Sequence, residues 1–134
     1  MNIRKITEED WDTLVSWWDA WPEWTAPHKH VLPEDGTGGV IIEKDNIKIA
    51  ACYIYTTNSK TAWIEWIVSN PDYKEKDRGE LIENMLEAAE VVCKNLGNTF
   101  ILSVGRNKSL MEKHRKLGWL VDTKPVYEMM KIIK

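Results

Sequence analysis

Three places in this sequence carry residues able to do chemistry. In the run AWIEWIV, Glu65 is the one charge among Trp63, Ile64, Trp66, Ile67 and Val68. A carboxylate in such a strand is too costly to bury unpaired, so it either faces a water-bearing cleft or meets a partner. In SLMEKHRKLGW, Leu110, His114 and Leu117 recur at i, i+4 and i+7, which turns the imidazole inward while Lys108, Glu112 and Arg115 point away. A histidine so placed is a hydrogen-bonded core residue, a metal ligand or a proton donor, since its ordinary pKa near 6.5 leaves a proton available at neutral pH. The third place, NPDYKEKDRGEL, is polar, partly basic, contains Gly79 and opens a helix. Free N–H groups and the positive dipole end suit an anionic or phosphate-bearing ligand there. The same residues also read as a solvated loop in which Asp77 and Glu80 form a capping box.

Positioning these groups requires a fold, and hydrophobic periodicity outlines one. NIRKIT alternates like a short strand, and Thr7 followed by Glu8, Glu9 and Asp10 marks a helix start. Trp11, Leu14, Val15 and Trp18 then form a helical stripe that ends near Trp21, before Pro22. Residues 22–39, rich in Pro and Gly, read as a long loop or a broken helix. GVIIEKD, IKIAACYIYTT and TAWIEWIVSN are strands joined by short polar turns, an antiparallel meander. Glu65 should then share a face with Trp63 and Ile67, opposite Ile64, Trp66 and Val68. A helix with the stripe Leu81, Ile82, Met85, Leu86, Ala89, Val92, Cys93 and Leu96 follows, closed by Gly97. TFILSVG is an apolar run expected to be covered on both faces. A last helix, Asn107 to Leu117, stops at Gly118, and WLVDTKPVYEMMKIIK offers two more short strands about Pro125. The strand, long helix and next strand make a right-handed parallel βαβ unit, in which ligands favour the carboxyl ends of the strands.

Composition bounds the function. With 134 residues the chain has the size of a single domain, 1–134, able to bury its own core. A formal net charge of -3 gives no field for nucleic acid or an anionic membrane, and no run approaches the roughly 20 apolar residues of a membrane span. Cys52 and Cys93, in apolar stretches without a CxxC, read as buried reduced thiols and suit the cytoplasm. His28 and His30 lack a third ligand at a persuasive spacing, so no metal is expected. Eight tryptophans stand against one phenylalanine, and five of the eight lie between Trp11 and Trp24. Trp17, Trp21 and Trp24 are not all on the stripe, so some should line a cleft or surface. Beside Asp19, Glu23, Glu34 and Asp35, aromatic walls would suit a cationic amine.

The element order resembles that of the GCN5-related N-acetyltransferases (GNAT), most specifically between Trp63 and Trp119. Val68-Ser69-Asn70-Pro71 is similar to the family's V-x-x-P run. In Lys74-Glu75-Lys76-Asp77-Arg78-Gly79, Lys74 takes the Arg/Gln position of the pyrophosphate loop and Gly79 its last glycine, while Asp77 replaces the first glycine. Asn107, His114, Lys116, Leu117, Gly118 and Trp119 keep the spacing of the family's Asn, Tyr and Lys-Leu-Gly-Phe.

The resemblance implies an α/β fold with a mixed, mostly antiparallel sheet of six to seven strands flanked by helices. It also implies acetyl-CoA as co-substrate and direct acyl transfer to a primary amine. It places coenzyme A on Ile67, Val68, Lys74, Lys76, Asp77, Arg78, Gly79 and Asn107. Glu65 becomes the general base, His114 replaces the tyrosine that protonates the thiolate, and Trp17, Trp21 and Trp24 fall in the acceptor pocket. Asp77 is expected to crowd the loop, cap the helix and repel pyrophosphate. The acceptor is a small-molecule or peptide amine. The alternative is a GNAT-fold binding module, weak or inactive in catalysis, whose Trp-rich surface meets a protein partner or a second copy. Exposed Trp and the tail EMMKIIK leave room for a homodimer.

Overall fold

The computed structural model describes residues 1–22 and 24–134, which fall into two compact units, Met1–Val104 and Gly105–Lys134. The first unit holds β1 (Asn2–Lys5), α1 (Trp11–Ala20), β2 (Gly39–Lys44), β3 (Ile47–Thr56), β4 (Thr61–Ser69), α2 (Arg78–Asn95) and β5 (Phe100–Ser103). Its five strands form one sheet in the order β1-β2-β3-β4-β5. Neighbours are antiparallel from β1 to β4, and β4 and β5 run parallel, joined by α2 as the expected βαβ unit. The second unit holds α3 (Lys108–Lys116).

The meander forms because its turns are locally encoded. Asp45 and Asn46 both take positive φ, 52° and 65°, the geometry that a two-residue hairpin needs and that Asp and Asn tolerate best. The long helix begins and ends where expected, and Leu81, Ile82, Met85, Leu86, Ala89 and Cys93 are its buried stripe. Leu96, placed on that stripe by periodicity, lies past the last turn and is exposed.

Other expectations are corrected. The sheet has five strands among the described residues, not six to seven, because residues 119–134 carry no helix or strand. Val126, Tyr127, Met129, Met130, Ile132 and Ile133 are all exposed there, and β propensity without a neighbouring strand does not make one. β5 is an edge strand and not one covered on both faces, with Phe100 57% exposed. On α1 the buried residues are Leu14, Trp17 and Trp18, with Trp21 packed against the same cluster, a stripe rotated from the expected one. Both sets fit a 3.6-residue period, and the rotation buries Trp17 while Trp11 stays partly buried at the cluster's edge.

One face of the sheet carries α1. Leu14, Trp17 and Trp18 pack with Ile6, Leu32, Ile41, Ala51, Tyr53 and Val68. Alternation along β3 turns Cys52 the other way, toward α2 and Cys93, where burial pushes its thiol up to about 12. At the start of β2, Gly39 is required by space alone, since a Cβ there would meet the Cys52 carbonyl oxygen at 2.0 Å.

Asp10 ties β1 to α1 and is 1% exposed. Arg4 holds it with two hydrogen bonds of 2.8 and 2.9 Å, Lys48 Nζ lies 2.8 Å away, and the Thr7 amide donates at 2.8 Å. Burial pushes the Asp10 carboxyl up, but these donors outweigh it and hold the group well below the usual carboxylate range.

Candidate functional site

The centre of β4 is irregular. Tyr53 pairs with Glu65 and Ala51 with Val68, so Cys52 alone faces both Trp66 and Ile67. This is a β-bulge, and Trp66 takes a φ of 55°, a strained value for a bulky residue. Cross-strand partners share a face, so Tyr53 puts Glu65 on the α1 side of the sheet, with Trp63 beside it opposite Tyr55. The bulge then resets the alternation: Trp66 and Val68 return to that same side and pack with the α1 cluster. The expected opposition of Glu65 to Trp66 and Val68 is thereby overturned. Burial raises the neighbouring Tyr55 hydroxyl against the opposing Trp66 hydrogen bond, and the negative charge of half-buried Glu65 adds a smaller push in the same direction as burial. Trp66 Nε1 donates to that hydroxyl at 3.0 Å, and the hydroxyl donates to the Val31 carbonyl at 3.2 Å.

Past the bulge β4 loses its other neighbour. Its pairing with β5 covers only Thr61 to Ile64, opposite Phe100 to Ser103. From Trp66 to Ser69 that edge, with Ile67 and Val68 on it, has no strand partner among the described residues. An open strand edge of this kind presents backbone N–H and C=O groups to whatever lies beside it.

The edge leads into the start of α2. Asp77 occupies the N-cap position but makes no side-chain cap hydrogen bond, so the expected capping box with Glu80 is absent. Its carboxylate turns away instead: Lys44 Nζ lies 2.5 Å from Oδ2, and the Tyr73 hydroxyl donates to Oδ1 at 2.7 Å. The Lys44 hydrogen bond, then that of Tyr73, hold the Asp77 carboxyl below its ordinary value, and the same contact raises Lys44. The Arg78 amide donates to the Glu75 carbonyl at 3.2 Å, and with the carboxylate turned away no side chain of Asp77 caps the Gly79 and Glu80 amides that follow. Arg78 Nη2 donates to Ser69 Oγ at 2.5 Å, and its guanidinium lies 5.9 Å from the Trp21 ring centroid. Lys74 and Lys76 are exposed, and Gly79 lies in the first turn. The arrangement can take a phosphate-bearing group: a positive dipole end, the cations Lys74, Lys76 and Arg78 against the exposed carboxylates Glu75 and Glu80, and Asp77 neutralised by Lys44.

The three tryptophans assigned to the acceptor separate. Trp17 is 4% exposed inside the core cluster, so it packs and does not line a surface. Trp21 and Trp24 are half-buried at the edge of that cluster, and Trp21 Nε1 donates to the Ser69 carbonyl at 3.2 Å. Trp21 therefore links the end of α1 to the end of β4 and to Arg78 at the start of α2. Glu23 lies outside the described residues.

In the second unit, Asn107 is the N-cap of α3, its side chain accepting from the Leu110 amide at 2.8 Å. His114 is buried, with Nδ1 2.8 Å from the Leu110 carbonyl and its ring meeting Trp119 edge-on at 4.9 Å. A carbonyl only accepts, so Nδ1 carries the proton. In the neutral ring Nε2 is then a bare acceptor, and it has no partner among the described residues. Only the imidazolium has an Nε2 proton to give, and donation from a neutral Nε2–H is excluded.

Sequence reasoning missed Lys44, Tyr73, Ser69 and the strain at Trp66. Tyr73 lies four residues from Asp77 and had a local signal, whereas Lys44 and Asp77 meet across 33 positions. Among the described residues no group of three or more His, Cys, Asp or Glu gathers as a metal site, and no helix is long and apolar enough to cross a membrane.

No protein-family model matches the sequence, and no curated protein does. Solved structures do match. An aminoglycoside antibiotic 6′-N-acetyltransferase from Acinetobacter haemolyticus is similar over 99% of this chain and 100% of its own, at 21% identity and a TM-score of 0.65. The N-acetylglutamate synthase of Neisseria gonorrhoeae, solved with coenzyme A and L-arginine, matches 85% of this chain at 12% identity and a TM-score of 0.68. This chain spans about a quarter of that enzyme, 26%. A transcriptional regulator from Bacillus halodurans is similar over 96% of this chain and 99% of its own, at 12% identity and a TM-score of 0.71.

Proposed function

We propose that this chain, which has the fold of the GCN5-related N-acetyltransferases, is an N-acyltransferase that takes its acyl group from acetyl-CoA and passes it to a primary amine. The observation that supports this most is the continuity of the site: the open edge of β4 from Trp66 to Ser69 runs into an α2 start that no side chain of Asp77 caps, flanked by Lys74, Lys76 and Arg78. A thioester cofactor supplies an activated acyl group together with an anionic diphosphate. The helix start and its cations would hold the diphosphate, as a helix N-terminus does for phosphates generally. Backbone N–H groups near Ile67 and Val68 would bind the acyl oxygen as it gains charge. Glu65, half-buried on the α1 side, would take a proton from the incoming ammonium, directly or through a water. The thiolate of coenzyme A is the leaving group.

The alternative of an inactive binding module drew its strength from Asp77. The carboxylate is paired with Lys44 and hydrogen-bonded by Tyr73, and it caps nothing, so that objection to coenzyme A weakens. The amine acceptor, a homodimer and a cytoplasmic location belong to the proposal, and acidic Asp19, Glu34 and Asp35 near Trp21 and Trp24 in sequence favour a cationic acceptor.

Thermal unfolding in the presence of acetyl-CoA tests the reading. A ligand that binds only the folded state at 100 times its Kd should stabilise it by about 2.7 kcal/mol, a rise of several degrees in Tm. No shift at millimolar acetyl-CoA, with none for propionyl-CoA or free coenzyme A, would refute the acyltransferase proposal.

A further inference from the structure

Asp77 is the residue least suited to its place. A carboxylate at the first position before a helix is ordinarily the group that caps it, and an aspartate is among the best caps known. If it did so here, one negative charge would sit on the N–H groups that a diphosphate must reach, and the two would compete. The structure shows the other arrangement. Both carboxylate oxygens are engaged away from the helix, Oδ2 with Lys44 Nζ at 2.5 Å and Oδ1 with the Tyr73 hydroxyl at 2.7 Å. Lys44 is the last residue of β2 and reaches α2 from the sheet, while Tyr73 is buried in the loop before the helix. Tyr73 supplies a neutral donor and fixes direction, and Lys44 alone among the two supplies compensating charge.

We infer that Lys44 is a positioning residue for the anion site: it neutralises Asp77 and keeps its carboxylate off the α2 N-terminus, so that the helix start accepts a diphosphate despite the acid beside it. This rests on the acetyl-CoA reading for its natural ligand, but its core claim concerns an anion at one place in the fold. Lys44 acts through Asp77, and that dependence separates it from the exposed Lys74 and Lys76, which would meet the phosphates themselves. Removing Lys44 should matter only while Asp77 is present.

The test is a two-residue cycle, Lys44→Met, Asp77→Asn and the double variant, read by amide NMR of residues 77–80 during titration with inorganic pyrophosphate and, separately, with coenzyme A. Lys44→Met should weaken pyrophosphate about three- to tenfold, the scale of one compensated charge at a helix start, and should move the Gly79 and Glu80 amide resonances in the free protein as Asp77 turns toward them. In the Asp77→Asn background the same replacement should change affinity less than twofold. Equal weakening in both backgrounds would make Lys44 a direct ligand and overturn the inference, as would unchanged affinity in the wild-type background or a wild type that binds no pyrophosphate. A wild type that binds pyrophosphate with the expected cycle, yet not coenzyme A, would uphold the inference while removing the acetyl-CoA reading.

Discussion

Replacing Glu65 by glutamine should lower the rate of acyl transfer about 10²- to 10⁴-fold, the usual contribution of a positioned base, while acetyl-CoA binding and Tm stay as in the wild type. Glutamine keeps the volume and the hydrogen-bonding reach of glutamate, so the bulged strand around Trp66 should be undisturbed. The effect has a signature that a structural role would not produce. An alkylammonium of pKa near 10.4 is almost fully protonated at neutral pH, and without a base the reaction must wait for the free amine, whose fraction rises tenfold per pH unit. The deficit of Glu65→Gln should therefore shrink as pH rises from 7 to 9. Thiol release followed with the best acceptor from a panel of polyamines, aminoglycosides and lysine peptides measures it. A loss smaller than tenfold, or one independent of pH, would move the base elsewhere.

The largest effect on stability should come from Asp10→Asn. The carboxylate is 1% exposed and receives Arg4, Lys48 and the Thr7 amide. Asparagine removes the charge and leaves two cations facing each other, which for buried pairs costs about 3–5 kcal/mol and here, with Arg4 and Lys48 partly exposed, about 2–4 kcal/mol. The folded-state carboxyl lies below its unfolded value. Its contribution is thus whole above the ordinary value of about 3.9 and is lost as pH falls through the lower folded value. The difference in unfolding free energy between wild type and Asp10→Asn should be flat from about pH 5 to 8 and narrow below about pH 4. Urea titrations at several pH values measure both features, and a difference under about 0.5 kcal/mol at pH 7, the scale of an ordinary surface substitution, would deny Asp10 its role.

The parts of this fold that were legible in sequence are those whose causes are local. The Asp45-Asn46 turn, the period-two strands around it and the periodic α2 depend on residues a few positions apart, and each forms where it was expected. What was hidden depends on register and distance. The bulge at Trp66 leaves no mark in AWIEWIV, yet it decides which side chains accompany Glu65. Two rotations of the α1 stripe satisfy the same period, and only the packing of Trp17 against the sheet chooses between them. The tail residues read as strands by propensity, but a strand exists only through its partner. At Asp77 the residue type pointed to a cap and an obstacle, while its actual partner, Lys44, comes from another strand.

Cys52 lies flat between β3 and α2, wholly out of reach of solvent, with its thiol too weak an acid to be a nucleophile at neutral pH. It is consequently a silent timer. Alkylating agents or oxidants in the medium meet this sulfur only in the moments when the helix lifts from the sheet, so the pace of its modification is the pace at which the βαβ unit opens.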